Sequence, residues 1–241
     1  MNARPTMKLF SILIPAFNEG CHIHDNVLRV GRIWPSEDID LIVIDDGSSD
    51  DTYAQAQAAA REDPRISVLK LEKNCGKGAA LANGFRLAQG EFIAFLDADL
   101  EIKPEYVQKM LEAQQNTGKD VIVGRKVYLQ AHVPLLRRMM SWVYRNLVRL
   151  LFNLHLRDTQ TGIKVFRRQV LETCIPRLTV KGFAFDVELL ALAQKAGYSI
   201  DEYPVELTFK RTRSLERIKL MHILRMFVDT ISIYRRMHAQ G

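Results

Sequence analysis

Apolar and polar positions alternate in short blocks along the first half of the chain. Lys8–Ile14 is mostly apolar, ends on Pro15 and reads as a first strand. Cys21–Ile33 has helical spacing and stops at Trp34-Pro35. Asp40–Ile44, Ile66–Leu71, Phe92–Leu96 and Val121–Val123 are further short apolar runs, long enough for buried strands and too short for helices. Between them, Thr52–Glu62 is rich in Ala and Gln, Gly78–Gln89 is closed by Gly90, and Pro104–Thr117 follows; all three read as helices. Strands alternating with such helices predict an α/β fold with a mostly parallel sheet and helices on both faces. In sheets of this kind ligands sit at the carboxyl ends of the strands. Asp45, Asp46, Asp97 and Asp99 all fall there.

The second half has a different texture. Leu135–Leu156 reads as one long helix, with Leu136, Met139, Met140, Val143, Leu147, Leu150, Leu151 and Leu154 at i, i+3, i+4 spacing and Arg138, Arg145 and Arg149 roughly opposite. Residues 135–157 hold five Arg and no acid. Such a helix either packs its apolar face on the sheet or lies in a membrane interface with its arginines on lipid phosphates. The missing acids, with Trp142 and Tyr144, favour the interface. Lys164–Phe166 and Glu202–Phe209 read as strands around a helix at Asp186–Ala196, and Leu215–Met237 as a second basic amphipathic helix.

Composition narrows the partners. The chain of 241 residues carries a net charge of +6 and a pI near 9.3, which favours anionic ligands: nucleotide phosphates, anionic lipid or nucleic acid. Nucleic acid is disfavoured, because aromatics are only 8% and the Arg-rich stretch is amphipathic rather than interleaved with stacking residues. Cys21, Cys75 and Cys174 are far apart and form no Cys-X-X-Cys, so neither a disulfide framework nor a zinc site is expected, and a reducing compartment fits. No apolar run approaches the ~20 residues of a membrane-crossing helix. Arg4 and Lys8 ahead of Leu9–Ile14 faintly mimic a signal peptide, but Pro15, Asn18 and Glu19 follow at once.

The candidate chemistry centres on Asp97, Asp99 and Glu101. On an extended segment these alternate residues point the same way, and clustered carboxylates repel unless a cation sits among them. Hard oxygen ligands suit Mg²⁺ or Mn²⁺. The plainer reading is a solvated acidic turn. Asp45-Asp46-Gly47-Ser48 is likewise a good turn and helix cap. Gly76-Lys77-Gly78 lacks the Walker spacing and reads as a helix-start turn.

Taken in order, Ser11–Glu19, Leu41–Asp50, Asn74–Gly78 and Phe95–Asp99 resemble the family-two glycosyltransferases with the GT-A fold. Val123-Gly124-Arg125, Arg157–Lys164, Phe185–Leu189 and Tyr203-Pro204-Val205 are similar to the polyprenyl-phosphate sugar transferases, which include dolichyl-phosphate mannose synthases and glucosyltransferases. The resemblance covers roughly residues 8–235. It implies that Pro15, Phe17, Glu19, Ile44 and Asp46 hold the base and ribose of a nucleotide diphosphate sugar, with Lys77 facing the same pocket. It places Asp97, Ala98, Asp99 and Glu101 at the metal and diphosphate. Arg125 then lies near the phosphates, and Lys210, Arg211 and Arg213 begin a loop that closes over them. Glu101 stands where mannose synthases carry Gln, and Thr212-Arg213-Ser214 where Gly-Ser-Lys is common. Asp158 and Gln160, with Arg138, Arg145 and Arg149, fall on the acceptor side. Asp186 or Glu188 would serve as base if the acceptor were a hydroxyl.

The chain then divides into a nucleotide-sugar half (1–134), an interface helix (135–157), an acceptor half (158–213) and a basic C-terminal helix (214–241). The implied activity is inverting, Mg²⁺- or Mn²⁺-dependent transfer of a hexose from UDP-glucose or GDP-mannose to a polyprenyl phosphate. The implied setting is peripheral, on the cytoplasmic face of an anionic membrane. A hydroxyl acceptor, or a nucleotide-binding module without catalysis, are the competing readings.

Overall fold

The computed structural model describes residues 10–35, 38–127, 135–180, 182, 184–207 and 220–239, with side chains in the two long late helices described at 139, 142–152 and 226–239. Seven strands form one sheet in the order β3-β2-β1-β4-β6-β5-β7. They are β1 Phe10–Ala16, β2 Ile39–Asp45, β3 Ile66–Lys70, β4 Phe92–Phe95, β5 Val121–Val127, β6 Lys164–Arg167 and β7 Ile200–Glu206. The sheet is mostly parallel, as its alternating pattern predicts. β6 alone runs against its neighbours β4 and β5.

That reversal matters for function. Register pairs Phe95 with Lys164, so the start of β6 reaches the same rim as the end of β4. The loop before β6 is thereby delivered to the carboxyl edge where the acids lie.

The central strands are buried on both faces, which is why they read as unbroken apolar runs. On one face the core packs against α1 (Ile23–Ile33), α2 (Thr52–Glu62) and α4 (Glu105–Thr117), through Ile12, Leu41, Val27 and Met110. On the other it packs against α3 (Lys77–Phe85), α5 (Leu135–Phe152), α6 (Arg168–Cys174), α7 (Phe185–Lys195) and α8 (Leu220–Ala239), through Leu13, Phe95, Phe166, Phe185 and Ile233. The α6 turn follows β6 without a loop and was not anticipated from the sequence. β7 is an edge strand containing Pro204, and beyond it Leu207 bridges to Ile102.

α5 ends at Phe152 rather than Leu156, because Asn153 turns left-handed (φ 54°). It is also rotated from the face expected. Tyr144, Val148 and Phe152 are the buried positions, at i, i+4 and i+8. Tyr144 packs edge-on against Phe227 of α8 and hydrogen-bonds Thr230 at 3.0 Å. The tyrosine expected at an interface is therefore core. Met139, Trp142 (60% exposed), Val143 and Leu150 (82% exposed) face outward, as do Arg145 and Arg149. α8 adds exposed Val228 and Ile231. Among the described residues, no helix is long and apolar enough to cross a membrane.

Candidate active site

Each strand end at the rim carries a loop, and side-chain to backbone hydrogen bonds knit these loops together. After β1, the Asn18 amide donates to Ser48 Oγ (2.9 Å) and Asn18 Oδ1 accepts from the Ser49 amide (3.0 Å), with Asn18 itself left-handed at φ 55°. The Glu19 amide donates to Thr52 Oγ1 (2.8 Å). Pro15 is half-buried, and Phe17 is 44% exposed over the loop. Gly47 has φ 69°, and its Cα lies so close to the backbone of Lys73 and Asn74 that a Cβ has no room. Asp46 is buried, and its two oxygens accept the amides of Cys75 (2.7 Å) and Gly76 (2.8 Å). Burial pushes its pKa up, against those hydrogen bonds and with the help of neighbouring Asp45.

Two residues expected at the nucleotide have protein contacts of their own. Asp46 spends its carboxylate on shaping the Cys75-Gly76 turn. The Ile44 side chain is fully buried and packs where a Cβ on Gly84 of α3 would sit.

The turn shaped by Asp46 starts α3, and α3 begins with Lys77. Its ammonium lies 2.5 Å from Asp97 Oδ1. Burial alone would lower the Lys77 pKa, but Asp97, Asp186 and Asp99 outweigh it and hold the lysine above its ordinary value. Burial would likewise raise Asp97, yet Lys77, Lys164 and Lys126 pull it below the usual carboxylate range. Asp99 goes the other way. Burial, then the charges of Asp97, Glu101 and Glu19, push it up to about 6, opposed by its hydrogen bond from the Glu101 amide (3.1 Å).

The segment after β4 is a turn, not an extension of the strand. Leu100 is left-handed (φ 49°), and the Ala98 carbonyl accepts from Asn26 Nδ2 at 2.8 Å. The premise that Asp97, Asp99 and Glu101 alternate along an extended segment is thus corrected. All three still line one cleft with Leu96, Ile102, Gly162 and Leu207. Its volume of about 20 Å³ suits a single water or ion. Among the described residues no three of His, Cys, Asp and Glu come together as a metal cage. The donor set fits a hard cation held by one or two carboxylates with other oxygens completing the shell.

The loop before β6 forms the floor. Gly162 lies against Asp97 so closely that a Cβ there would run into the carboxylate. Lys164 is fully buried, and its ammonium donates to the Thr161 carbonyl (2.5 Å) and to Asp186 Oδ1 (2.6 Å). Burial lowers its pKa, with Asp186 pulling in the opposite direction. Lys164 and Gly162 were missed as site residues in the sequence. A lysine inside a short apolar strand was the available signal.

The remaining expected residues separate into two groups. Asp158 reaches the rim, 3.9 Å from Lys126 Nζ, and accepts the Gln160 amide at 3.1 Å. Arg125 is half-buried in the second half of β5, opposite Pro204. By contrast, Gln160 turns its amide to Met226 of α8 (2.8 Å). Glu188 is engaged by the Thr179 hydroxyl (2.6 Å), the amides of Thr179 and Val180, and Arg236 (3.3 Å). Arg145 donates to the Arg157 carbonyl at 3.4 Å. Lys210, Arg211 and Arg213, and the side chain of Arg138, lie outside the described residues.

A mostly parallel α/β sheet with paired aspartates at the end of β4 is the architecture of a GT-A glycosyltransferase. The chain belongs to glycosyl transferase family 2, whose pattern matches residues 11–175. It is 31% identical over 203 residues to Glycosyltransferase AglD of Haloferax volcanii, covering 81% of this chain and about a third (32%) of that protein. It is 29% identical over 225 residues to a dolichyl-phosphate beta-glucosyltransferase of Dictyostelium discoideum, covering 86% of this chain and 69% of the other. Among solved structures it is similar to glucosyl-3-phosphoglycerate synthase from Mycobacterium tuberculosis. The complex with uridine-diphosphate gives a TM-score of 0.71 at 21% identity, covering 94% of this chain and 80% of the other. The complex with Mn²⁺, uridine-diphosphate and phosphoglyceric acid gives 0.70 at 20%, covering 92% and 78%. At that identity the likeness is one of fold.

Proposed function

We propose that the protein transfers glucose from UDP-glucose to a polyprenyl phosphate, with inversion at the anomeric carbon. The observation that carries this reading is the rim itself, where Asp97 and Asp99 flank an ion-sized cleft. The relatives named as dolichyl-phosphate glucosyltransferases support glucose over mannose and a lipid phosphate over a hydroxyl.

The chemistry follows from charge. A phosphate oxygen of the acceptor attacks the anomeric carbon while the bond to the nucleoside diphosphate breaks, and the electron pair leaves with the diphosphate. Bound at Asp97 and Asp99, Mg²⁺ or Mn²⁺ would act there as a Lewis acid on the departing phosphates. Lys77 and Arg125 supply charge-assisted hydrogen bonds to the same oxygens. A phosphomonoester is already largely ionised near neutral pH, its second pKa being about 6. No general base is then required, which agrees with Asp186 being tied to Lys164. Asp158 and Lys126 border the acceptor side.

The outward face of α5 supports placement on a bilayer. Met139, Trp142, Val143 and Leu150 offer apolar surface beside Arg145 and Arg149, which favour an anionic leaflet. The decisive experiment incubates the protein with Mn²⁺, a polyprenyl phosphate, and either UDP-glucose or GDP-mannose, and reads lipid products by mass spectrometry. A hexosyl prenyl phosphate formed from UDP-glucose is expected. Intact donor in every combination would overturn the reading.

A further inference from the structure

We propose that Lys77 is a resident counter-ion that a divalent metal must displace from Asp97, and that its release hands the ammonium to the donor's diphosphate. This rests on the function proposed above and adds an order of events to it. Three observations carry it.

First, the Lys77 ammonium sits on the carboxylate oxygen a metal would need, 2.5 Å from Asp97 Oδ1. The other Asp97 oxygen, Oδ2, is crowded by Gly162. A metal and the ammonium cannot share that oxygen, because like charges at such separation repel strongly.

Second, among the described lysines that act on Asp97, Lys77 is the one in direct contact with it. Lys164 also acts on Asp97, but it is fully buried and held by the Thr161 carbonyl and Asp186. Lys126 faces Asp158. The Lys77 side chain keeps 25% of its surface exposed. It stands on a flexible stem at the first residue of α3.

Third, its destination is prepared. Lys77 opens α3 beside Asp97 at the rim, α3 has no acid in its own first turn, and Asp46 already takes the Cys75 and Gly76 amides just before it. The released ammonium is therefore the group this turn has left to offer an incoming diphosphate. The metal and the donor therefore favour one another beyond their direct contact, and by linkage each tightens the other equally.

The test is Mn²⁺ binding followed by electron paramagnetic resonance of the free ion, with and without UDP, in the wild type, Lys77→Met and Lys77→Arg. Without UDP, Lys77→Met should bind Mn²⁺ about tenfold tighter or more, because the competing charge is gone. Lys77→Arg should match the wild type. UDP should tighten Mn²⁺ binding about tenfold less in Lys77→Met than in the wild type. Misfolding can only weaken binding, so a gain in affinity is a specific signature. If Lys77→Met does not fold by circular dichroism, Lys77→Gln takes its place, keeping a hydrogen bond to Asp97 without charge. Mn²⁺ binding in the neutral variant no tighter than in the wild type overturns the exchange. No Mn²⁺ bound by the wild type even with UDP overturns the function it rests on.

Discussion

Asp99→Asn should stabilise the protein while abolishing its transfer activity. In the folded chain Asp99 titrates near 6, raised from 3.8 by burial and by the neighbouring acids. A carboxyl with a raised folded pKa favours folding below its unfolded pKa and loses that contribution as pH rises through the folded one. At pH 7.5 the ionised Asp99 thus works against the fold. A shift of about two pKa units corresponds to about 3 kcal/mol, and partial solvent access reduces this to about 1–3 kcal/mol. Asparagine removes the charge and keeps Oδ1 as acceptor for the Glu101 amide. With about 2–4 °C per kcal/mol for a chain of this size, the variant should melt about 2–12 °C higher at pH 7.5 in a chelator. The gain should fade as pH falls toward 4, where the wild-type carboxyl is protonated as well. Thermal unfolding by circular dichroism across that range is the assay. A variant that melts no higher than the wild type at pH 7.5, or keeps its full advantage at pH 4, would refute the reasoning.

Other outcomes follow from the same geometry. Lys164→Met leaves Asp186 buried and unpaired, and should cost about 3–5 kcal/mol in urea unfolding, whereas Lys164→Met combined with Asp186→Leu should recover most of it; equal losses in both would contradict this. Gly162→Ala should cut turnover at least tenfold by pushing the Asp97 carboxylate aside, with a smaller loss in melting temperature; unchanged kinetics would mean Asp97 has slack. Leu150→Asp should release the protein from anionic vesicles in sedimentation, and the Trp142 emission of the wild type should shift to the blue on adding them; identical spectra with and without vesicles would place that face in water.

The sheet was readable from the chain because its middle strands are buried on both sides. Phe92–Leu96 needs no partner to announce itself. The paired aspartates were readable for the same reason, since a charge directly after such a run must lie at a strand end. Direction was not readable for β6, four residues whose antiparallel pairing depends on which edge of β4 remains open. With it the sequence hid Gly162 and Lys164, whose importance exists only once β6 lies beside β4. The facing of α5 was hidden too. Its leucine stripe is the more apolar side, yet Phe227 and Thr230 of α8 give Tyr144 both a ring contact and a hydrogen-bond partner, and this decides which side turns inward. Nor could the sequence show that Asp46 accepts the Cys75 and Gly76 amides, since that contact joins two separate loops.

One edge of the sheet carries a further consequence. β7 is laid alongside β5 with Pro204 in its middle and Asp201, Glu202 and Glu206 along it, and Glu202 accepts the amides of Arg157 and Asp158 from the adjoining segment. A proline cannot donate to another strand, and a row of acids repels its own copy. This border is thereby protected against self-templated growth into intermolecular ribbons.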